Sequence, residues 1–222
     1  MMRKNDMDYC MERKAKLLEE ADRLEKIQFK KQIPLLQEYY QRDEVRDKVK
    51  EAFTVLFEKW DREEPAGSLG IHYLWTNLHN RTYSYQLMLY GETFYLDEKA
   101  IEASWKPEFF FALLEEDAGE ILKLIRKQFP RVCAYEEELI RHHCAGYYQA
   151  AIYQLCRDIL PEIMESKAFE RLPKTEEFIW FFGGYRGEGE VLAKVVCTKK
   201  RKESLTCIEI EKGHIFCPFS HL

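Results

Sequence analysis

Ten glycines and seven prolines in 222 residues are too few for a collagenous or low-complexity chain. No apolar run approaches the ~18 residues of a membrane span. The opening stretch from Met1 to Glu20 is charged throughout, with no apolar core of a leader peptide, so a cytoplasmic protein that is neither secreted nor membrane-bound is expected. Basic residues are also short, 34 Lys and Arg against 39 Asp and Glu, which is the wrong sign for a domain that neutralises many phosphates. General nucleic-acid binding is therefore not expected. The seven cysteines (Cys10, Cys133, Cys144, Cys156, Cys197, Cys207 and Cys217) are odd in number and scattered, which fits free thiols better than a disulfide framework. Against these gaps stand 14 Phe, 13 Tyr and 4 Trp, ample apolar area for a core.

Leu17, Leu18, Ala21, Leu24 and Ile27 recur at helical spacing in a Lys/Glu-rich background and predict an amphipathic helix over residues 8–31. Pro34 is expected to interrupt it. A second helix then carries a wider apolar face through Leu36, Tyr40, Val49, Phe53, Leu56 and Trp60. Breakers and charge from Asp61 to Gly67 predict an exposed connection, dividing a helical hairpin at 1–64 from an α+β body at 65–222. Because its stripe is narrow, the first helix is expected to dock on the body or on a second copy of the chain, making a homo-oligomer through these helices one expectation.

Beyond the connection, Ile71–Trp75, Tyr83–Tyr90 and Thr93–Leu96 are short, aromatic-rich runs with turn residues between them, a candidate three-stranded meander. Ser104–Glu108 carries N-cap chemistry ahead of a helix to about Gln128. Another helix is expected from near Val132 to Ile163, kinked or split by Pro161. Strand texture returns at Phe178–Phe182, Val191–Cys197, Leu205–Ile210 and His214–Cys217. The reading is an α+β fold with about four main helices and antiparallel meanders in the middle and at the C-terminus.

Sites of chemistry are faint. The cluster Gly183-Gly-Tyr-Arg-Gly-Glu-Gly189 lacks the lysine of a P-loop and precedes a strand, so it reads as a hairpin loop presenting Tyr185 and Arg186. Arg141-His142-His143-Cys144 gathers nitrogen and sulfur donors. Consecutive residues on a helix point about 100° apart, however, so at most one histidine shares a face with Glu138. His214, Cys217 and His221, with Cys207 across a turn, form a second donor set without a Cys-x-x-Cys knuckle. No metal and no cofactor is expected at either. Lys199–Lys202 reads as a solvated basic turn.

Two aromatic segments, Tyr83–Asp97 and Trp105–Phe111, resemble segments of uncharacterised bacterial proteins labelled normocyte-binding. The resemblance covers about residues 73–163, implies a cytoplasmic bacterial protein and supplies no catalytic residues.

Two function classes follow. The first is a non-catalytic recognition or regulatory protein with a protein partner or a small anionic ligand; the second is an enzyme acting on a small anionic substrate. Candidate ligand-binding residues are Trp75, Tyr83 and Tyr85, expected on one side of the first meander, His79 and Arg81 at its turn, and Tyr185 with Arg186 on the glycine loop.

Overall fold

The computed structural model describes residues 4–187, 189–196 and 208–209. Its elements, in chain order, are α1 (Lys4–Tyr40), α2 (Asp43–Glu58), β1 (Ala66–Tyr73), α3 (Trp75–His79), β2 (Tyr85–Tyr90), β3 (Ile101–Trp105), α4 (Glu108–Gln128), α5 (Ala134–Met164), α6 (Lys167–Arg171), β4 (Lys174–Gly184), β5 (Gly189–Val196) and β6 (Ile208–Glu209). The α+β expectation holds, with α1, α2, α4 and α5 as the four substantial helices.

The chain forms two compact units, the first from residues 1–39 and 108–151, the second from 40–107 and 152–222. The Asp61–Gly67 connection lies inside the second. In the first unit, the stripe foreseen on α1 is buried at Leu17, Ala21 and Leu24 and continues through Phe29 and Leu36, while Ile27 is exposed. Phe29 meets Tyr148 edge-on at 5.4 Å, and Tyr39 stacks on Phe109 at 4.0 Å. One polar knot in this core is satisfied: Asp117 accepts from the Tyr148 hydroxyl at 2.7 Å and from Gln32 Nε2 at 2.9 Å. Pro34 does not break α1. It lies on the exposed face, so the Lys30 carbonyl it frees is open to hydration while Phe29 and Leu36 hold the turns on either side. Pro161 likewise sits in the last turn of α5 without splitting it.

The second unit is built on one mixed sheet of order β3-β2-β1-β4-β5-β6. Each meander is antiparallel, as expected, and the two share one sheet through a seam, β1 on β4, that is parallel. The reason is topological: more than a dozen intervening residues, helices among them, form a crossover between these strands. Two further corrections concern the first meander. Within Thr93–Leu96, Phe94–Leu96 is a 3₁₀ turn rather than a strand, and the third strand is Ile101–Trp105, so Ser104 lies inside a strand instead of capping a helix. Trp75 leaves β1 and begins the short α3.

Register divides the sheet into two faces. Leu69 opposite Leu89 and Trp180, and Ile71 opposite Leu87 and Phe182, point to a packed side. There Phe53 and Phe57 of α2, Phe169 of α6 and Tyr153 of α5 meet Trp180 and Phe182. The other side carries Ser68, Gly70 and His72 of β1, Met88 and Tyr90 of β2, Ile179 and Phe181 of β4, and Val191 of β5.

Candidate functional site

The candidate site is built on that second side, where small residues in the strands make room for large rings. A Cβ on Gly70 would stand 2.0 Å from His72 Nε2, because the imidazole folds back across the glycine. His72 is fully buried. Its Nε2 lies 3.1 Å from the Tyr90 hydroxyl and its Nδ1 3.4 Å from the Tyr95 hydroxyl, so either tautomer finds a partner at both nitrogens. Phe181 and Tyr185 complete a ring of aromatics around it, with centroids 5.8 and 5.7 Å away.

Tyr95 and Phe94 reach the sheet because the loop that carries them is braced from behind. The Asp97 carboxylate accepts from the Gly91 amide at 2.6 Å, the Lys99 amide at 3.0 Å and Arg62 Nη1 at 2.7 Å. Desolvation pushes the Asp97 pKa up, but those donors and the Arg62 charge outweigh it and leave the carboxyl below its ordinary value.

The cluster is electrostatically quiet. Burial holds the His72 pKa down at about 4, the hydrogen bond with the Gly183 backbone opposing it, and burial likewise pushes the Tyr90 and Tyr95 hydroxyls up. At neutral pH the His72 imidazole and the Tyr90 and Tyr95 phenols are therefore uncharged donors and acceptors, a poor base beside poor acids.

Next to the cluster an open groove of about 830 Å³ runs along the same face. Ser68, Phe94, Ile179, Phe181 and Val191 line it, with Gly67 and Gly91 offering bare backbone. The Ser68 hydroxyl is buried and has no hydrogen-bond partner among the described residues. The rim is mostly acidic, with Glu92, Glu176 and Glu177, whereas the ammonium of Lys174 is occupied by the Phe169 and Leu172 carbonyls.

The residues singled out in the sequence distribute unevenly. Tyr185 and Arg186 join the cluster: Tyr185 packs on His72 and Tyr95, the Arg186 guanidinium lies 5.4 Å over the Tyr185 ring, and the Arg186 amide donates to the Tyr95 oxygen. Tyr85 does not: it is buried on the packed side against Trp105 and Phe182. Trp75, His79 and Arg81 are exposed and Tyr83 half-buried in the β1–β2 connection, so the expectation that Trp75, Tyr83 and Tyr85 share one side fails once the strand ends at Tyr73. His142 does share a face with Glu138, whose backbone carbonyl lies 2.9 Å from its Nδ1, while His143 turns to Glu25 of α1. His214, Cys217, His221, Cys207 and Lys199–Lys202 lie outside the described residues.

Sequence reasoning missed His72, Ser68, Tyr90, Tyr95 and Phe181. One signal was there: Ser68-Leu-Gly-Ile-His-Tyr73 alternates small or polar residues with large apolar ones, as a two-faced strand must. Starting the strand at Ile71 hides that alternation. No family model, no curated protein and no solved structure matches the chain.

Proposed function

We propose that the protein is a non-catalytic recognition protein that holds a small apolar ligand with a neutral or amine head group in the groove beside His72. The observation that carries this reading is a groove with apolar walls and a buried, unpartnered Ser68 hydroxyl on its floor. Its volume falls within the roughly 300–1,000 Å³ usual for small-molecule sites. Catalysis is disfavoured by the same chemistry that makes the neighbouring cluster neutral: an imidazole that titrates near 4 and phenols pushed upward are ill suited to move protons at pH 7. The acidic rim supports an amine or neutral head over the small anionic ligand that the two exposed arginines suggest in the sequence.

The test is a thermal-shift titration with paired aromatic probes, tyramine and phenethylamine against 4-hydroxyphenylacetate and phenylacetate, on the wild type and on Val191→Trp, which plugs the groove. The amines should raise Tm in a dose-dependent way, the acids should not, and Val191→Trp should abolish the response. Stabilisation by the acids, an unaltered response in Val191→Trp, or no response to either amine would refute the reading.

A further inference from the structure

In the first unit, α1 and α5 bring together donors that lie more than a hundred positions apart in the chain. Asp22 and Glu25 are one helical turn apart on α1 and project from one face. His143, from α5, places its Nδ1 2.8 Å from Glu25 Oε2. One ligand atom from each of Asp22, Glu25 and His143 lies within 4.8 Å of the other two. We infer that Asp22, Glu25 and His143 form a binding site for a first-row divalent cation of the zinc class, with its remaining coordination position open to water.

Geometry and surroundings both support a cation. Ligand bonds of about 2.0–2.2 Å set neighbouring donors roughly 3.3 Å apart around a tetrahedral ion, so side-chain adjustments of about 1 Å close the triad, within the reach of χ rotations on two fixed helices. Glu25 is 2% exposed, with His143 and Cys144 as its hydrogen-bond partners. A carboxylate so desolvated gains more from a bound cation than one on the surface. His143 is half-exposed, which gives a hydrated ion its entry path.

The next layer is oriented as well. The Cys144 thiol donates to Glu25 Oε1 at 3.4 Å and the Tyr147 hydroxyl to Asp22 Oδ1 at 3.5 Å, fixing which oxygens remain for the ion. The buried Cys144 thiol is held to Glu25 by that hydrogen bond and acts as an orienting donor in this arrangement. Lys26 pairs with Asp22 Oδ2 at 2.6 Å but is itself largely exposed and free to swing away. One imidazole and two carboxylates suit zinc-class ions better than the all-oxygen shell preferred by calcium or magnesium. The site does not depend on the groove in the other unit.

The test is isothermal titration of the chelator-stripped full-length protein with Zn²⁺ alone, with Co²⁺ absorption as the spectroscopic probe. The wild type and His214→Ala/His221→Ala, which removes donors elsewhere in the chain, should both bind one ion at this site. Glu25→Gln, nearly isosteric, and His143→Ala, at a half-exposed position, should each weaken binding by more than the roughly 10–100-fold typical of an outer-layer partner, with circular dichroism unchanged. Cys144→Ser should bind within a few-fold of wild type, and the Co²⁺ spectrum should lack a thiolate charge-transfer band. Retained affinity in both Glu25→Gln and His143→Ala, loss of the ion in His214→Ala/His221→Ala, or no binding by the wild type would overturn the assignment.

Discussion

His72 gives the sharpest handle on the site, because its neutrality is a quantity that pH can move. The free imidazole value is 6.5 and the folded value about 4, since burial opposes the charge. Above pH 6.5 neither state holds the proton and His72 contributes no pH dependence. Between 6.5 and 4 the unfolded chain binds a proton that the folded chain refuses, so stability falls as pH falls. The whole window is worth about 3 kcal/mol, and about 2 kcal/mol of it is spent by pH 5. His72→Gln keeps an amide within reach of the Tyr90 hydroxyl but cannot titrate. Urea unfolding at pH 7.5 and pH 5.0 should show the wild type losing about 2 kcal/mol more than His72→Gln, or about 1 M in midpoint at a slope of about 2 kcal/mol/M. The remaining histidines and the carboxylates are common to both proteins and cancel in the comparison. Imidazole NMR shifts should in parallel keep His72 neutral down to about pH 5. Equal pH slopes, or a His72 midpoint near 6.5, would sink the argument that burial keeps this imidazole uncharged.

Gly70→Ala should expel the imidazole from its seat against Tyr90, lowering stability by about 1–3 kcal/mol and raising the His72 midpoint toward 6.5, both readable in the same titration. Asp97→Ala should cost about 2–3 kcal/mol at pH 7 in chemical unfolding, because two amides and Arg62 lose their acceptor. Its carboxyl sits below the ordinary value when folded, so the wild-type advantage over this variant should be full at neutral pH and shrink as pH drops through the carboxylate range. Asp117→Ala should destabilise by a similar amount, about 2–3 kcal/mol, by stranding the Tyr148 hydroxyl and the Gln32 amide in the core, with no flattening of the His72 profile.

Much of the architecture was legible because it rests on periodicity. Leu17, Ala21 and Leu24 mark the buried stripe of α1, and Val49, Phe53 and Leu56 that of α2, at the spacing a 3.6-residue turn requires. Phe178, Trp180 and Phe182 show the two-residue period of a strand buried on one side. What local pattern cannot carry is choice between faces and partners. Tyr85 and Tyr90 belong to the same strand and are equally aromatic, yet one is core and the other binds His72, a distinction set by register with Tyr73 and Ser68. Phe94-Tyr-Leu96 has strand-like composition, but the Asp97 brace bends it into a turn, so a tertiary contact overrides propensity. The site lay beyond reach for the same reason: His72, Tyr95 and Tyr185 come from three separate segments. The Glu25–His143 pair, 118 positions apart, leaves no trace in any window of the sequence.

The parallel seam between β1 and β4 has a consequence for how the chain matures. As the ribosome delivers it, β1, β2 and β3 emerge early, and their antiparallel ladders can close at once through short connections. The β1 edge then waits: its register partners Ile179 to Gly184 follow Ser68 to Tyr73 by about 110 residues, roughly 5–20 s of synthesis at common elongation rates. Throughout that interval the strand carrying Leu69 and Ile71 offers unpaired backbone and bare apolar surface, the combination that seeds edge-to-edge aggregation. Ribosome-bound chains halted before Lys174 should therefore be the most chaperone-dependent form of this protein, and release past Val196 should end that dependence.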